Sequence, residues 1–194
     1  NLEGDIDENT VPNPISNYAI SNFFAEKQII NETNNSNIKS YIMRISNVIG
    51  RPLTNNTSCW DLVSNDFAKQ IVKNKTLVIN SCGSQHRDFV PIENVLAAVN
   101  WIINEKELEE NPFIFNLGLG QSLSILDLAK IFSNKAKEIL DLNISINTLE
   151  KESLNYKKLI YSNKKLKSLN VPIINNLDQE IEQLLRFANR EFNA

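Results

Sequence analysis

The chain has 194 residues, of which 42% are hydrophobic, so it can bury the core of one domain or of a domain and a half. Its formal net charge is -3, and no stretch clusters Lys and Arg with aromatic residues, which argues against nucleic acid as a partner. Two cysteines without a Cys-x-x-Cys pair and a single histidine argue against a metal site. We expect a cytoplasmic protein without membrane contact, because no apolar run reaches the length of a membrane span and no signal peptide is recognisable.

The first predicted element is a helix that follows a loop over residues 1–13. A proline-rich approach keeps the preceding residues extended, and Ser16 or Asn17 can serve as the N-cap. Tyr18 and Asn22 are four residues apart, so they lie on one face of this helix. On the pattern alone, Tyr18 is an ordinary residue of an amphipathic helix whose hydroxyl finds a partner.

The next predicted element, reached through a polar connector, is a strand that runs into a loop over residues 40–52. A strand that follows a helix in this way is half of a parallel crossover unit, and ligands collect at the carboxyl ends of parallel strands. Asn47 lies near the end of the strand. Its amide suits a phosphate oxygen, and it equally suits a turn that ends a strand.

A helix over residues 60–72 and a short strand over residues 76–80 lead into a run of turn, strand and helix over residues 82–95. This run contains Arg87, whose planar and permanently charged guanidinium suits two phosphates. Arg87 could instead pair with Asp88 or Glu93 on the surface. Asp88 is expected to brace the turn.

The remaining elements alternate in the same manner and indicate an α/β fold. The capping-box pattern of Ser124 and Asp127 predicts the start of one of the helices, and Gly118-Leu119-Gly120 predicts a turn between strand and helix. The predicted elements are a helix from residue 94 to about 104, a strand over 112–118, a helix from 124, a strand over 142–149, a short helix over 163–169 that ends a lysine-rich segment from 155, and a helix over 177–192.

Three motifs in matching order resemble those of the extended short-chain dehydrogenase/reductases, the family of NAD-dependent nucleotide-sugar epimerases and dehydratases. Tyr18 stands in a Tyr-x-x-x-Lys motif whose lysine is replaced by Asn22. Arg44, Asn47 and Gly50 match Arg-x-x-Asn-x-x-Gly. Residues 83–90 match Gly-x-Gln-x-Arg-Asp-Phe-Val.

The resemblance implies the C-terminal part of a Rossmann-like parallel sheet, with the tyrosine helix and the following strand, plus a small α/β substrate-binding region. Residues 1–52 correspond to the remainder of the NAD(P)-binding domain. Residues 53–194 correspond to the nucleotide-sugar region, from which some strands can return to the main sheet. The cofactor is NAD or NADP, and its site is incomplete because the family's glycine-rich pyrophosphate loop has no counterpart here.

The resemblance also implies roles for individual residues. Tyr18 would be the acid or base at a sugar hydroxyl or ketone, and Tyr18 and Arg87 would converge on opposite ends of a sugar diphosphate. The cofactor-binding residues would be Tyr18, Asn22 and Ser46; the substrate-binding residues would be Asn47 and Arg87 on the diphosphate, with Leu62, Val63 and Val78 as an apolar lining for the nucleobase.

Asn22 opens an alternative to catalysis. A phenol with a pKa near 10 is only about 0.1% ionised at pH 7, and the motif lysine normally lowers that pKa. The chain is therefore either the C-terminal portion of an active enzyme, expected to be inactive alone, or a non-catalytic relative that binds a nucleotide or nucleotide sugar as a sensor or scaffold. A structural remnant is a third possibility, and the resemblance also allows a homodimer through the tyrosine helix.

Overall fold

A computed structural model of the chain describes residues 4–104, 110–149 and 158–193. The helices are α1 (Asn17–Asn34), α2 (Val63–Asn74), α3 (Ile92–Asn104), α4 (Ile125–Leu140), α5 (Lys164–Ser168) and α6 (Leu177–Phe192), with a 3-10 turn at Ser58–Asp61. The strands are β1 (Gly4–Ile6), β2 (Tyr41–Ile45), β3 (Asn47–Ile49), β4 (Thr76–Ile79), β5 (His86–Pro91), β6 (Phe113–Leu117), β7 (Ser122–Ser124), β8 (Ser145–Thr148) and β9 (Leu159–Tyr161). Within these three ranges, no helix combines the length and apolar composition that a membrane crossing requires.

Parallel pairing dominates the sheets and confirms the α/β fold. Strand β2 pairs with β6, β3 with β5, β4 with β8 and β1 with β9, all parallel. Among the strands of the described residues, only β7 runs antiparallel, against β5. Parallel neighbours need long crossover connections, and the helices between the strands supply them. Strands from residues 53–194 thus lie beside strands from residues 1–52, while the domain boundary itself stays a prediction.

The strand that was predicted to run into a loop within residues 40–52 is in fact divided into two short strands, β2 and β3. After Ile45 the chain changes partners at Ser46, whose amide donates to Leu117 O at 2.9 Å. From Asn47 onward the chain pairs with β5 instead of β6. The break places Ser46 between the β2–β6 pair and the β3–β5 pair, where its hydroxyl donates to Asp88 of β5.

The sequence indicated a loop over residues 1–13, but this segment also contains a strand. Gly4–Ile6 forms β1 and pairs with β9 in the lysine-rich segment, with Gly4 opposite Leu159 and Ile6 opposite Tyr161. The antiparallel strand β7 was also not predicted. Strands β1, β7 and β9 are each only three residues long, which is too short to show alternating hydrophobicity. The first residues of the lysine-rich segment, 155–157, lie outside the described residues.

The other predicted elements are found close to their expected positions, and the caps explain two helix starts. Ser16 caps α1 by accepting from Ala19 N at 3.2 Å. Ser124 caps α4 by accepting from Asp127 N at 3.0 Å, and its hydroxyl donates to the Asp127 carboxylate at 2.7 Å. Each cap satisfies an amide that the first helical turn leaves without a partner.

Two apolar clusters stabilise the fold, and α1 belongs to neither. The larger cluster joins α2, α4 and α6, with Phe67 and Phe132 in edge contact at 5.9 Å between ring centroids. The smaller cluster lies around β6, α3 and α5. Helix α1 buries only Thr33 and exposes Phe24 and Ile29, so the apolar face expected for it is not covered in the described residues.

Candidate functional site

The candidate site lies where the parallel strands β2 and β6 end, next to Asp88 of β5. Asp88 is buried, and its carboxylate accepts from Ser46 Oγ at 2.8 Å and from Leu119 N and Gln121 N, both at 3.0 Å. Its backbone oxygen accepts from Asn47 Nδ2 at 3.0 Å. Asp88 therefore braces the turn after β6, as the sequence indicated, and also holds the break between β2 and β3.

Burial and hydrogen bonding act in opposite directions on this carboxyl group. Burial raises the pKa of Asp88 above its usual value, because the charged form loses contact with water. The hydrogen bonds from Ser46 and from the backbone amides of the turn oppose this shift, because they stabilise the charge. The donors around Asp88 are therefore arranged for an anion.

Arg87 lies on β5 directly before Asp88, and its guanidinium extends along the neighbouring backbone. Its Nη1 donates to His86 O at 2.8 Å, and Nη2 approaches Gln85 Oε1 at 3.4 Å. In the part of the chain that the structure describes, Arg87 forms no ion pair, so the predicted alternative of a surface pair with Asp88 or Glu93 is not observed. A half-buried cation that makes only neutral contacts can accept an anionic ligand.

The tyrosine helix presents Tyr18 to solvent, with 80% of the residue exposed. Asn22 does lie on the same helix, but its Nδ2 donates back to Tyr18 O at 2.8 Å. Lys27 lies over the Phe23 ring at 4.6 Å, so this cation is directed to another part of the helix. A positive charge near the Tyr18 hydroxyl, which the lysine would supply in the matching motif, is not provided by either residue.

One ion pair attaches this helix to β2. Arg44 Nε and Nη2 bind the two carboxylate oxygens of Glu26 at 3.1 and 2.5 Å, and Nη1 donates to Glu8 O at 2.9 Å. The Glu26 side chain also raises the pKa of Arg44, mainly through these hydrogen bonds. Arg44 was predicted as a motif residue only, and its role here is to position α1.

The three residues predicted to line a nucleobase lie around the start of α2 and the middle of β4. Leu62 precedes α2 and is 56% exposed, Val63 is its first residue, and Val78 of β4 is 37% exposed. Gln70 connects the two elements, because its Oε1 accepts from Val78 N at 2.7 Å. The Gln70 amide thus joins α2 to the backbone of β4.

Two cavities lie away from the predicted residues. One, of about 130 Å³, is bounded by the loop after β1 together with Arg44, Asn116 and Tyr161. The other, of about 180 Å³, lies between the turn after β6 and the segment that leads into α6. Neither is lined by Tyr18 or Arg87, so their convergence on one ligand stays a prediction.

The residues present fit only part of a dinucleotide. Ser46 at the end of β2, with Tyr18 and Asn22 on α1, supplies hydroxyl and amide groups of the kind that bind a ribose or a carboxamide. The 194 residues contain no Gly-x-Gly-x-x-Gly sequence to hold a pyrophosphate. Among the residues placed by the structure, no three His, Cys, Asp or Glu side chains are close enough together to hold a metal ion.

Comparison with known proteins agrees with this geometry. The profile of the NAD dependent epimerase/dehydratase family matches residues 2–118. A putative UDP-glucose 4-epimerase of Methanocaldococcus jannaschii is 31% identical over 134 residues, which are 67% of this chain and 40% of that protein.

Solved structures show the same fold at lower identity. UDP-glucuronic acid 4-epimerase from Bacillus cereus in complex with NAD has a TM-score of 0.79 at 21% identity, over 100% of this chain and 57% of its own. UDP-glucose 4-epimerase from Thermotoga maritima with UDP-glucose has a TM-score of 0.77 at 20% identity, over 97% and 58%. RMD from Pseudomonas aeruginosa complexed with NADPH has a TM-score of 0.75 at 18% identity, over 94% and 59%.

The chain thus spans 40% of the curated relative and less than two thirds of each of these solved structures. The profile match covers more than half of the chain and includes the tyrosine helix, both strands of the second motif and Arg87. The chain therefore belongs to the NAD dependent epimerase/dehydratase family.

Proposed function

We propose that the chain is the substrate-binding and tyrosine-bearing portion of an NAD(P)-dependent nucleotide-sugar epimerase, dehydratase or reductase. The observation that carries the proposal is the arrangement at the ends of β2 and β6, where Arg87 and Asn47 flank the buried Asp88 and Arg87 has no ion pair in the described ranges. Three of the four named relatives carry the name of a UDP-sugar 4-epimerase, which supports a nucleotide sugar as substrate.

The diphosphate is the part of the substrate that these residues are suited to bind. Arg87 supplies a fixed positive charge with several donors in one plane, and Asn47 adds an amide group without adding charge. Leu62, Val63 and Val78 offer apolar surface to the nucleobase. Binding of these remote groups would hold the sugar in place while the reaction occurs at another of its carbons.

Tyr18 is the proposed acid or base at a sugar hydroxyl or ketone. When bound, NAD or NADP supplies the hydride acceptor or donor at the carbon that carries this oxygen, and relatives solved with NAD or NADPH support that cofactor class. Tyr18, Asn22 and Ser46 would contact its nicotinamide half. The lysine that would assist proton transfer is absent beside Tyr18, so we expect slower proton transfer than in a lysine-containing relative.

A non-catalytic binding protein is the second candidate, and Asn22 specifically favours it. The Asn22 amide is bonded to the backbone of its own helix, and Lys27 lies over the Phe23 ring, so neither residue replaces the lysine beside Tyr18. Such a relative would bind a nucleotide or nucleotide sugar as a sensor or scaffold. The diphosphate residues Asn47 and Arg87 would serve both candidates.

The test is to compare wild type with Asn22→Lys in a protein that also contains a dinucleotide-binding half. NAD(H) turnover is measured with UDP-, GDP- and dTDP-sugars, and Tyr18→Phe serves as the catalytic control. The enzyme candidate is supported if wild type turns over a nucleotide sugar and Tyr18→Phe abolishes this turnover. In that case we expect Asn22→Lys to be faster than wild type. Binding of a nucleotide sugar without turnover by wild type supports the non-catalytic candidate, and failure to bind any of these sugars contradicts both.

Three further expectations remain proposals. These are the division into a cofactor region over residues 1–52 and a substrate region over residues 53–194, a homodimer through α1, and a location in the cytoplasm. The exposed apolar residues Phe24 and Ile29 support a partner for α1. Analytical ultracentrifugation of wild type and of Phe24→Ser would test the homodimer.

A further inference from the structure

We propose that Asp88 is a positioning residue that sets both groups of the diphosphate site, Asn47 on one side and Arg87 on the other, and that it does so through its negative charge. The inference rests on the proposed function, because the site that Asp88 organises is the one assigned there to a sugar diphosphate. Asp88 itself is buried beneath the site and need not touch the ligand.

The first connection runs from Asp88 to the strand break. Ser46 Oγ donates to the carboxylate at 2.8 Å, and Asn47 Nδ2 donates to the backbone oxygen of Asp88 at 3.0 Å. Two consecutive residues at the point where the chain passes from β2 to β3 are therefore bonded to the same residue of β5. The orientation of the Asn47 amide depends on where Asp88 holds this backbone.

The second connection runs from Asp88 to the turn after β6. Leu119 N and Gln121 N donate to the two different carboxylate oxygens, each at 3.0 Å. The turn leads directly into β7, in which Leu123 lies opposite Arg87 and Ser122 opposite Asp88. Arg87 thus lies on β5 next to Asp88, and it faces β7, whose approach is fixed by the bonds from Asp88 to the preceding turn.

The geometry requires a carboxylate rather than another polar side chain. Every described group that contacts the carboxylate is a donor, and an ionised carboxylate only accepts. Asparagine would turn an NH2 group toward one of these donors and leave it without an acceptor. Glutamate lacks space, because even a Cβ added to Gly118 would come within 2.6 Å of Asp88 Oδ1.

The consequence is specific for the diphosphate. Losing the charge of Asp88 would displace Asn47 and the strand that carries Arg87. Leu62 precedes α2 and Val78 belongs to β4, and the bonds described to the carboxylate involve neither residue. A general loss of structure would instead weaken binding of every ligand. The ratio of affinities for UDP and UMP separates the two effects, since both contain the same nucleoside and UMP lacks the second phosphate.

The experiment uses the 194-residue chain and three variants. Asp88→Asn removes the charge, and Ser46→Ala removes one donor and keeps the carboxylate. Asp141→Asn is the matched control, because the Asp141 side chain is 90% exposed and pairs with Lys137 at the C-terminal end of α4. Calorimetry measures UDP and UMP binding. NMR follows the Asn47 side-chain amide and the Arg87 Nε signal without any ligand.

We expect Asp88→Asn to lower the affinity for UDP about tenfold, on the scale of one charge-assisted hydrogen bond, and to leave that for UMP unchanged. The Asn47 and Arg87 signals should move in Asp88→Asn and, to a smaller extent, in Ser46→Ala, and remain in place in Asp141→Asn. If Asp88→Asn does not fold, Ser46→Ala alone carries the test.

Two results would overturn the proposal. One is an unchanged ratio of UDP to UMP affinity in the folded variants. The other is that the Asn47 and Arg87 signals do not move when the carboxylate or its Ser46 donor is removed. If wild type binds neither UDP nor UMP, the proposed function of this chain fails, whereas the signals of Asn47 and Arg87 still decide whether Asp88 positions them.

Discussion

Replacing Arg44 with Met should release the tyrosine helix from the strand beneath it while the rest of the protein stays folded. Arg44 binds both oxygens of Glu26 on α1 and also donates to Glu8 O, and α1 contributes no residue to either apolar cluster. Methionine retains much of the apolar volume of Arg44 but supplies none of these bonds. The variant therefore removes the main polar attachment of α1 found among the described residues.

The size of the effect follows from the burial of the pair. Removing one partner of a fully buried ion pair costs about 3–5 kcal/mol, and an exposed pair contributes about 0.2–1 kcal/mol. The Arg44 and Glu26 side chains are 20% and 15% exposed, which places them between these limits. We expect a loss of about 2 kcal/mol in the local stability of α1, which corresponds to roughly 30-fold faster amide exchange.

Hydrogen exchange resolved by residue measures this effect directly. The amides of α1 should lose protection in Arg44→Met, while those of α2, α4 and α6 should not change. The control is Arg186→Met, which removes an exposed pair with Glu182 within α6 and should have little effect. Unchanged exchange in α1, or an equal loss of protection in α4, would refute the reasoning.

Three other substitutions test the surrounding structure. Burial and repulsion from Glu93 raise the pKa of Glu180 above its ordinary value of 4.5. The folded protein therefore favours the protonated carboxyl group, and it loses stability as the pH rises and this group becomes charged. Glu180→Gln should therefore unfold at a higher urea concentration than wild type at pH 7, and at the same urea concentration as wild type below pH 4.5. A gain in stability at both pH values would contradict this reasoning. Gln70→Leu leaves the Val78 amide without its acceptor and should cost about 1–3 kcal/mol in urea unfolding, with faster exchange of that amide; unchanged exchange would argue against the contact. Gly118→Ala would place a Cβ 2.6 Å from a carboxylate oxygen and should cost about 1–3 kcal/mol, whereas wild-type stability would show that the turn relaxes freely.

Elements with strong local signals could be predicted from the sequence. Helix α6 occupies the predicted residues because its buried positions repeat at helical spacing over four turns. Ser124 and Asp127 form the expected capping box at the start of α4. These signals lie within a few residues of one another, so they need no knowledge of the tertiary structure.

Elements that depend on distant partners could not be predicted. Strand β1 exists because Gly4–Ile6 meets Leu159–Tyr161, and three residues carry no recognisable alternation. The break at Ser46 likewise reflects a change of partner from β6 to β5, which the sequence of residues 41–49 alone does not reveal.

The candidate site shows the same division. Arg87 and Asn47 were identified from motifs, and Asp88 was expected to brace the turn that it contacts. The bonds from Ser46 to Asp88 and from Gln70 to Val78 were not foreseen, because they join side chains and backbone groups from separate elements. The roles of Tyr18 and of the nucleobase residues stay predictions, since they require a ligand to be tested.

The pairing of Gly4–Ile6 with Leu159–Tyr161 also constrains the order in which the protein can assemble during synthesis. Gly4–Ile6 leaves the ribosome well before its strand partner Leu159–Tyr161 has been made. Until then Gly4–Ile6 lacks the strand with which it pairs. A nascent chain arrested before residue 159 should therefore be cleaved readily by protease in this segment, and a chain extended beyond α6 should resist cleavage there.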